Sequence, residues 1–452
     1  MLDEGAIRSA LRTVSGGAAG AQSDMFAEST TISVVECGGE GPTDVQFRAR
    51  RGIGLGATVG DRVRYVHASG VSEDDLAALA TALRSGDMPR GPGPCRPADD
   101  EAGALSSAGL PEVAAEAVAQ LGRESGVSGS ASLRAVRQHV IVADSDGRLV
   151  HDQREYWSIR IDAMARDGRK LRRSRQLFGA ASLGELVRDG RHLRLAAEAA
   201  GAALARLEAV AVPSGQMPVV FAPGRPGALI HEIVGHGLEA DHAAHPAAAY
   251  HGLVGEAVGA ACLTVVDDPA PAGQPAIYAV DDEGVAARPT VLIENGRLRT
   301  YLYDRRTALA QGTASNGHGR RLDYSHPALP RTSATYVAPG SFGADEILAD
   351  TPDGLLVRSV AGGDTDMGSG RFNLRVEEAY MVESGRVTAP VTGATVSGAA
   401  VDVLRSIDRV GDDLEFANLC FVCNKLEQFP VLITVGQPTM RVSKLQVWGD
   451  GA

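Results

Sequence analysis

Apolar residues recur along this chain at two spacings, and the switches between them mark out its elements. Ala6, Ile7, Ala10, Leu11 and Val14 fall three and four apart and predict a helix over 5–15. Thr30–Val35, Asp44–Ala49 and Ile53–Thr58 read as strands separated by glycine-rich turns. Ser72, followed by Glu73, Asp74 and Asp75 and then by Leu76, Leu79 and Leu83, predicts a capped amphipathic helix. A further helix is predicted over Glu112–Glu124. Strands follow over Leu133–Ala143 and Tyr156–Ala165, with Asp144-Ser145-Asp146-Gly147 as the turn after the first, then one long alanine-rich helix over Leu183–Val210. Strands followed by a helix in this order predict an α/β layer on an antiparallel sheet.

Past Val212-Pro213-Ser214-Gly215 the pattern becomes mostly strand-like. Met217–Ala222, Ala261–Val266, Thr290–Glu294, Arg299–Tyr303, Thr332–Val337, Leu355–Val360, Phe372–Glu383 and Met440–Trp448 are predicted strands, with Ala344–Ala349 a short helix. The expected fold class is therefore α+β. An N-terminal α/β domain with a mainly antiparallel sheet spans 1–211, and a C-terminal mostly-β domain spans 212–452. The stretch 86–104, rich in Gly, Pro and Asp, reads as a flexible loop. No internal repeat is evident.

Composition narrows the function classes. At 452 residues the chain is too long for one ordinary core. A net charge of -12 argues against a broad nucleic-acid footprint, and the cluster Arg169–Arg175 reads as a solvated strand or turn. Only Lys170, Lys425 and Lys444 are lysines, a bias that codon usage explains. No run of about 18 apolar residues suggests a membrane span, and Met1-Leu2-Asp3-Glu4 does not open a secretory signal. Five cysteines at irregular spacings point to a reducing compartment, with the cytoplasm expected.

One segment carries candidate chemistry. Gly224-Arg225-Pro226-Gly227 leads into Ala228-Leu229-Ile230-His231-Glu232-Ile233-Val234-Gly235-His236. Pro226 suits the first turn of a helix. Leu229, Ile230, Ile233 and Val234 predict that this helix is buried, where two imidazoles and a carboxylate are costly unless paired or ligated. Zinc-binding helices commonly set their histidines four apart. Here they stand five apart, about 140° round a regular helix. A π-bulge absorbs one residue, and Gly235 makes a distortion cheap. On spacing alone two readings stand: a metal site, or two histidines that merely lie close.

The segment continues Gly237-Leu238-Glu239-Ala240-Asp241, and as a whole it closely resembles the metal-binding segment of the TldD/PmbA family of metallopeptidases. Val265–Asp268, Asp281–Gly284, Val291–Gly296, Asn316–Arg321, Glu378–Tyr380 and Val435–Thr439 match that family in order, and the N-terminal half matches more loosely from Phe26-Ala27-Glu28-Ser29 onward. The resemblance implies a D-type, motif-bearing subunit whose third ligand is Cys423, in Cys423-Asn424-Lys425-Leu426-Glu427-Gln428. Asn424 and Glu427 replace glycines of the family pattern there, where φ > 0 is at issue. It implies one zinc ion held by His231, His236 and Cys423 with a fourth position for water, and Glu232 as general base and then acid. It also implies small or unfolded peptides, or modified peptide precursors, as substrates. The expected partner is a motif-less TldE/PmbA-type paralogue in a heterodimer, with a homodimer as the alternative; neither nucleic acid nor membrane is expected.

Around this core, Glu239 and Asp241 are either outer partners of the histidines or helix-end carboxylates in solvent. Arg320 and Arg321 either bind a substrate carboxylate or form structural ion pairs. Cys420 is read as a structural thiol, a redox pair with Cys423 being its rival. Asp281-Asp282-Glu283 is read as a turn. His242, His245 and His251 are taken as surface or cavity-lining residues. Two other functions stay open: hydrolysis of an amide-like C–N bond in small-molecule biosynthesis, and a non-catalytic scaffold subunit.

Overall fold

The computed structural model describes residues 2–16, 22–39, 41–59, 62–86 and 109–449. The expected 86–104 loop beyond Gly86 and the side chain of Cys420 lie outside them. The chain opens with α1 (Glu4–Ser15), where the Asp3 carboxylate accepts from the Ala6 amide and Ile7, Ala10, Leu11 and Val14 form the buried face. There follow β1 (Gln22–Gly38), β2 (Gly41–Val59), β3 (Arg62–Ala68), α2 (Glu73–Ser85), α3 (Leu110–Leu121), β4 (Val127–Asp144), β5 (Leu149–Asp167) and β6 (Lys170–Ala180). Ser72 and Asp75 close a reciprocal capping box at the start of α2. The strands form one sheet, ordered β3-β2-β1-β4-β5-β6, in which every pairing is antiparallel.

Two sequence expectations change here. The predicted segments 44–49 and 53–58 are halves of one 19-residue strand, β2. Its alternation is broken by Arg48, Arg50, Gly52 and Gly54 because the residues facing away from the helices meet another part of the chain. A Cβ at Gly52 or Gly54 would run into Tyr324 of the C-terminal half. The long helix expected over 183–210 is broken into α4 (Leu183–Val187) and α5 (Arg191–Ala205) by Asp189 and Gly190, both in the left-handed region.

Residue parity on β1 then sorts the two faces of the sheet. Met25 and Ala27 pack under α1 and α2, while Val35 and Cys37 pack under α3 and α5. Phe26, of opposite parity, packs with Val140, Val142 and Tyr324. Arg321 clamps this junction. Its guanidinium donates to the Tyr65 hydroxyl at 2.9 Å, pairs with Asp24 at 3.4 Å, and donates to the Asp282 carbonyl at 2.9 Å.

The C-terminal domain is β-rich. In one sheet Gly215–Phe221 lies between Asp353–Thr365, to which it is parallel, and Met440–Gly449. Ala394–Ala399, Arg371–Glu383 and Arg386–Pro390 follow in order. Because Asp353–Thr365 also pairs with Arg371–Glu383, five strands close on themselves around the largest apolar cluster. The second sheet runs Arg297–Leu298, Thr290–Glu294, Val265–Asp267, Ala334–Val337, Gln428–Gln437, Glu415–Lys425. The expected strand at Arg299–Tyr303 is an irregular buried segment whose Leu302 makes only an isolated bridge to Glu239. Its apolar run comes from burial of Tyr301 and Leu302 behind the motif helix, not from a ladder.

Arg321→Ala would leave Asp24 and the Asp282 carbonyl without this cation. It is expected to lower stability by about 3 kcal/mol, read as a fall in the urea midpoint. A midpoint within error of the parent would show that the clamp contributes nothing.

Candidate metal centre

Gly215–Phe221 feeds directly into the motif helix, which runs from Arg225 to Leu238 and changes character along its length. Pro226 sits in its first turn, a regular turn covers Ala228–Ile230, a π turn covers His231–Gly235, and a 3₁₀ turn covers His236–Leu238. The His236 amide donates to the His231 carbonyl, the i→i−5 bond that defines a π turn. One residue is thereby absorbed, and the two imidazoles come to one side with ring centroids 4.7 Å apart. Gly235 has ordinary helical dihedrals (φ −53°, ψ −65°). It is glycine for space, since a Cβ there would stand 2.8 Å from Thr332 Cγ2 and 3.2 Å from Thr335 Oγ1. The Tyr250 hydroxyl donates to the Ile233 carbonyl at 2.7 Å inside the distorted turn. Beyond it, Leu302 bonds Leu238 and Ala240, fixing the exit of the helix.

Cys423 arrives from the edge strand Glu415–Lys425. Its Sγ lies 3.2 Å from His236 Nε2, a contact across 187 residues of sequence. One donor atom from each of His231, His236 and Cys423 lies within 4.8 Å of the others, and all three residues are buried. Metal–nitrogen and metal–sulfur bonds of about 2.0 and 2.3 Å would set such donors roughly 3.5 Å apart, so the set fits a divalent ion that accepts thiolate. Burial by itself would raise the Cys423 pKa, but the His236 ring and hydrogen bonds from both histidines hold it well below the usual thiol range. Burial would likewise lower the pKa of His236, yet Glu239 and Cys423 raise it well above the usual imidazole value.

The hairpin behind Cys423 turns through Leu426 and Glu427, with Lys425 paired to Gln428. Both turn residues have positive φ, at 47° and 69°, so Glu427 adopts the backbone a glycine would take, whereas Asn424 continues the strand. Gln428 pins the neighbouring loop by accepting from the Leu322 amide and donating to the Pro327 carbonyl.

Around the donors, Glu239 accepts from His236 Nδ1 at 3.2 Å and pairs with Lys425 Nζ at 3.0 Å. Burial would raise the Glu239 pKa, but Lys425 and then His236 hold it well below the carboxylate range. Asp241, read either as an outer partner of a histidine or as a helix-end carboxylate, accepts from Lys425 Nζ at 2.6 Å. Glu232 is half-buried, and one of its oxygens accepts from the Thr365 hydroxyl at 3.3 Å. Thr365 reaches it because the strand predicted at 355–360 runs on to 365. Arg320 and Arg321, proposed from sequence for a substrate carboxylate, are both buried and bound to protein groups. Arg320 donates to the Thr332 and Leu432 carbonyls beneath the Tyr278 ring. His242 joins Glu239 and Asp241 in a second compact group of ligand-type atoms, while His245 and His251 are exposed.

Sequence reading did not single out Arg331. It is fully buried, donates to the Cys423 carbonyl at 3.1 Å and to its sulfur at 3.3 Å, and also reaches the Gln428 carbonyl. Nothing in the linear pattern separates it from the chain's many other arginines.

A buried His–His–Cys set with a solvent-reaching carboxylate on the same turn is the apparatus of a metal-dependent hydrolase. Comparison with known proteins gives its kind. Residues 214–449 match the PmbA/TldA metallopeptidase C-terminal domain, and residues 100–207 match the central domain of that family. The chain is 35% identical over 325 residues to the metalloprotease TldD homolog of Haemophilus influenzae, covering 71% of this chain and 67% of that protein. It is 31% identical over 237 residues to the zinc metalloprotease TldD homolog of Saccharolobus solfataricus, 52% of each. The crystal structure of TldE from Thermococcus kodakarensis shares its fold, with a TM-score of 0.79 at 15% identity over 98% of this chain and 100% of that one. The chain belongs to the PmbA/TldD family and is a metallopeptidase.

Gly235→Ala would force a methyl group against Thr332 in the π turn. A destabilisation of about 1–3 kcal/mol is expected, with weakened uptake of a divalent metal ion in an equilibrium titration. Unchanged uptake and an unchanged melting temperature would show that the turn tolerates a side chain here.

Proposed function

We propose that this chain is the motif-bearing, D-type subunit of a zinc peptidase that hydrolyses small or unfolded peptides, or modified peptide precursors. The convergence of Cys423 Sγ on His236 Nε2 across the π turn carries this reading. His231, His236 and Cys423 would hold the ion. A buried thiolate beside two imidazoles favours zinc over harder divalent ions, and the zinc-metalloprotease name of the archaeal relative points the same way.

Bound there, zinc would polarise a scissile carbonyl and make an attacking water more acidic. The other tasks fall to side chains. Glu232, one position beyond His231 and open to solvent, takes the proton from the attacking water and returns it to the departing amine nitrogen. Thr365 steadies that carboxylate from the neighbouring strand. Glu239 accepts from His236 Nδ1 and so keeps its Nε2 turned toward Cys423. Arg331 donates to the sulfur and favours its anionic form. We assign Arg320 and Arg321 to the framework, since both guanidiniums are already engaged by protein groups.

We further propose a division of the chain near residue 212 and a cytoplasmic setting, which suits a thiolate ligand. A motif-less TldE/PmbA-type subunit is the proposed partner. No helix among the described residues is long and apolar enough to cross a membrane.

Glu232→Gln is expected to keep one zinc per chain while peptide cleavage falls by roughly 10²–10⁴-fold, assayed on an unstructured peptide pool with and without the motif-less partner. Chelation should abolish cleavage by the parent, and added zinc should restore it. A Glu232→Gln chain that cleaves at the parental rate, or a parent that takes up no zinc, would sink the proposal.

A further inference from the structure

Lys425 is a lysine in a chain that uses arginine almost everywhere; of its 44 basic residues only three are lysines. Lys425 is also buried, at 5% exposure, and lysine is rarely buried without partners. Its ammonium has three acceptors for its three N–H bonds: Asp241 Oδ1 at 2.6 Å, the Pro330 carbonyl at 2.7 Å and Glu239 Oε2 at 3.0 Å. A guanidinium is a planar fork and an ammonium is a compact point charge, so the two are not interchangeable in such a cradle.

The cradle has the make-up of a cation site. Glu239, Asp241 and His242 offer three ligand-type atoms within 4.8 Å of one another. Glu239 Oε1 is buried and has no hydrogen-bond partner. The cradle adjoins the His231–His236–Cys423 set through Glu239, whose Oε2 contacts both Lys425 Nζ and His236 Nδ1. Cys423 and Lys425 stand two apart on one strand and are both buried, with the exposed Asn424 between them. One strand thus delivers a thiol to the first site and an ammonium to the second.

We propose that Lys425 is a built-in cation. It occupies the place a second divalent metal would take beside the His231–His236–Cys423 set, and through Glu239 it is the positioning residue for the His236 ring. Removing the ammonium leaves the buried Glu239 and the half-buried Asp241 without the cation between them, and the cradle then recruits a metal ion in its stead. This inference rests on reading the His–His–Cys set as a metal site.

The test compares the full-length parent with Lys425→Ala, each dialysed against excess zinc and analysed for bound metal. Each is also loaded with cobalt(II) for its visible and thiolate charge-transfer bands. The parent should hold one zinc and Lys425→Ala two, with shifted cobalt bands as Glu239 turns toward the second ion. One zinc and a parental cobalt spectrum in Lys425→Ala would overturn the proposal while leaving the His–His–Cys site intact. No zinc in the parent would instead overturn the underlying reading, and this one with it. If Lys425→Ala fails to fold at every zinc concentration, Lys425→Met/Asp241→Asn removes one positive and one negative charge together. That variant should hold a single zinc about 10–100-fold more weakly, with shifted cobalt bands. Parental affinity and bands there would likewise overturn the proposal.

Discussion

Everything at the metal centre depends on a single backbone hydrogen bond, from the His236 amide to the carbonyl five residues back. With a regular i→i−4 bond, the two imidazoles would stand about 140° apart. So short and irregular a helix would not persist alone in water. It persists because the protein is built closely around it. Gly227 packs on the Gly436 backbone, Gly235 on Thr332 and Gly237 on the Tyr250 ring, and a Cβ at these positions would stand 3.0, 2.8 and 2.6 Å from its neighbour. The surrounding apolar cluster buries Leu229, Ile230, Ile233 and Val234 completely or nearly so. The π turn is thus a product of tertiary packing, which selects it over the regular helix the local sequence would otherwise allow.

A second constraint is electrostatic. From Arg331 through Cys423, His236, Glu239 and Lys425 to Asp241, cationic or proton-donating groups alternate with anionic ones, each in contact with the next. Burying charge is costly, and such a row is tolerable only when every member faces a group of opposite character. Breaking it at any point strands a charge on either side of the gap. The row also explains why thiolate and carboxylate coexist within a few ångströms: each has its own cation, Arg331 for one and Lys425 for the other.

The legible parts of the sequence were those whose signals are local. The cap at Ser72 and the apolar stripes of α1 and α2 lie within one or two turns of chain, and they read correctly, whereas the Asp3 cap was found only in the structure. The five-residue histidine spacing, with a glycine between, pointed to a π-bulge that the structure contains, although the glycine makes room for Thr332 instead of easing the backbone. What stayed hidden depends on distant neighbours. The lengths of β1 and β2 are set by each other and by Tyr324, and half of β2 carries glycines and arginines that look like turn or surface. Asp189 breaks the long helix with a left-handed residue that propensity alone does not predict. Arg331, Thr365 and Lys425 reach the centre from strands and loops far away in sequence, and no periodicity sets them apart. The paired arginines are a further case. Arg320-Arg321 left ligand binding and structural pairing both open; each is buried, Arg320 donating to the Thr332 and Leu432 carbonyls and Arg321 reaching Tyr65 and Asp24 of the N-terminal half.

The hairpin at Leu426–Glu427 also has a bearing on assembly. Two residues make the turn, and strand pairing resumes at Lys425 and Gln428. Side chains on a strand alternate sides, so sliding one arm by a single residue would rotate Cys423 out of the centre and aim Asn424 inward. An amide cannot replace a thiolate for a soft ion. An ion bound at His231, His236 and Cys423 would therefore hold this edge of the sheet in the one frame that presents the thiol.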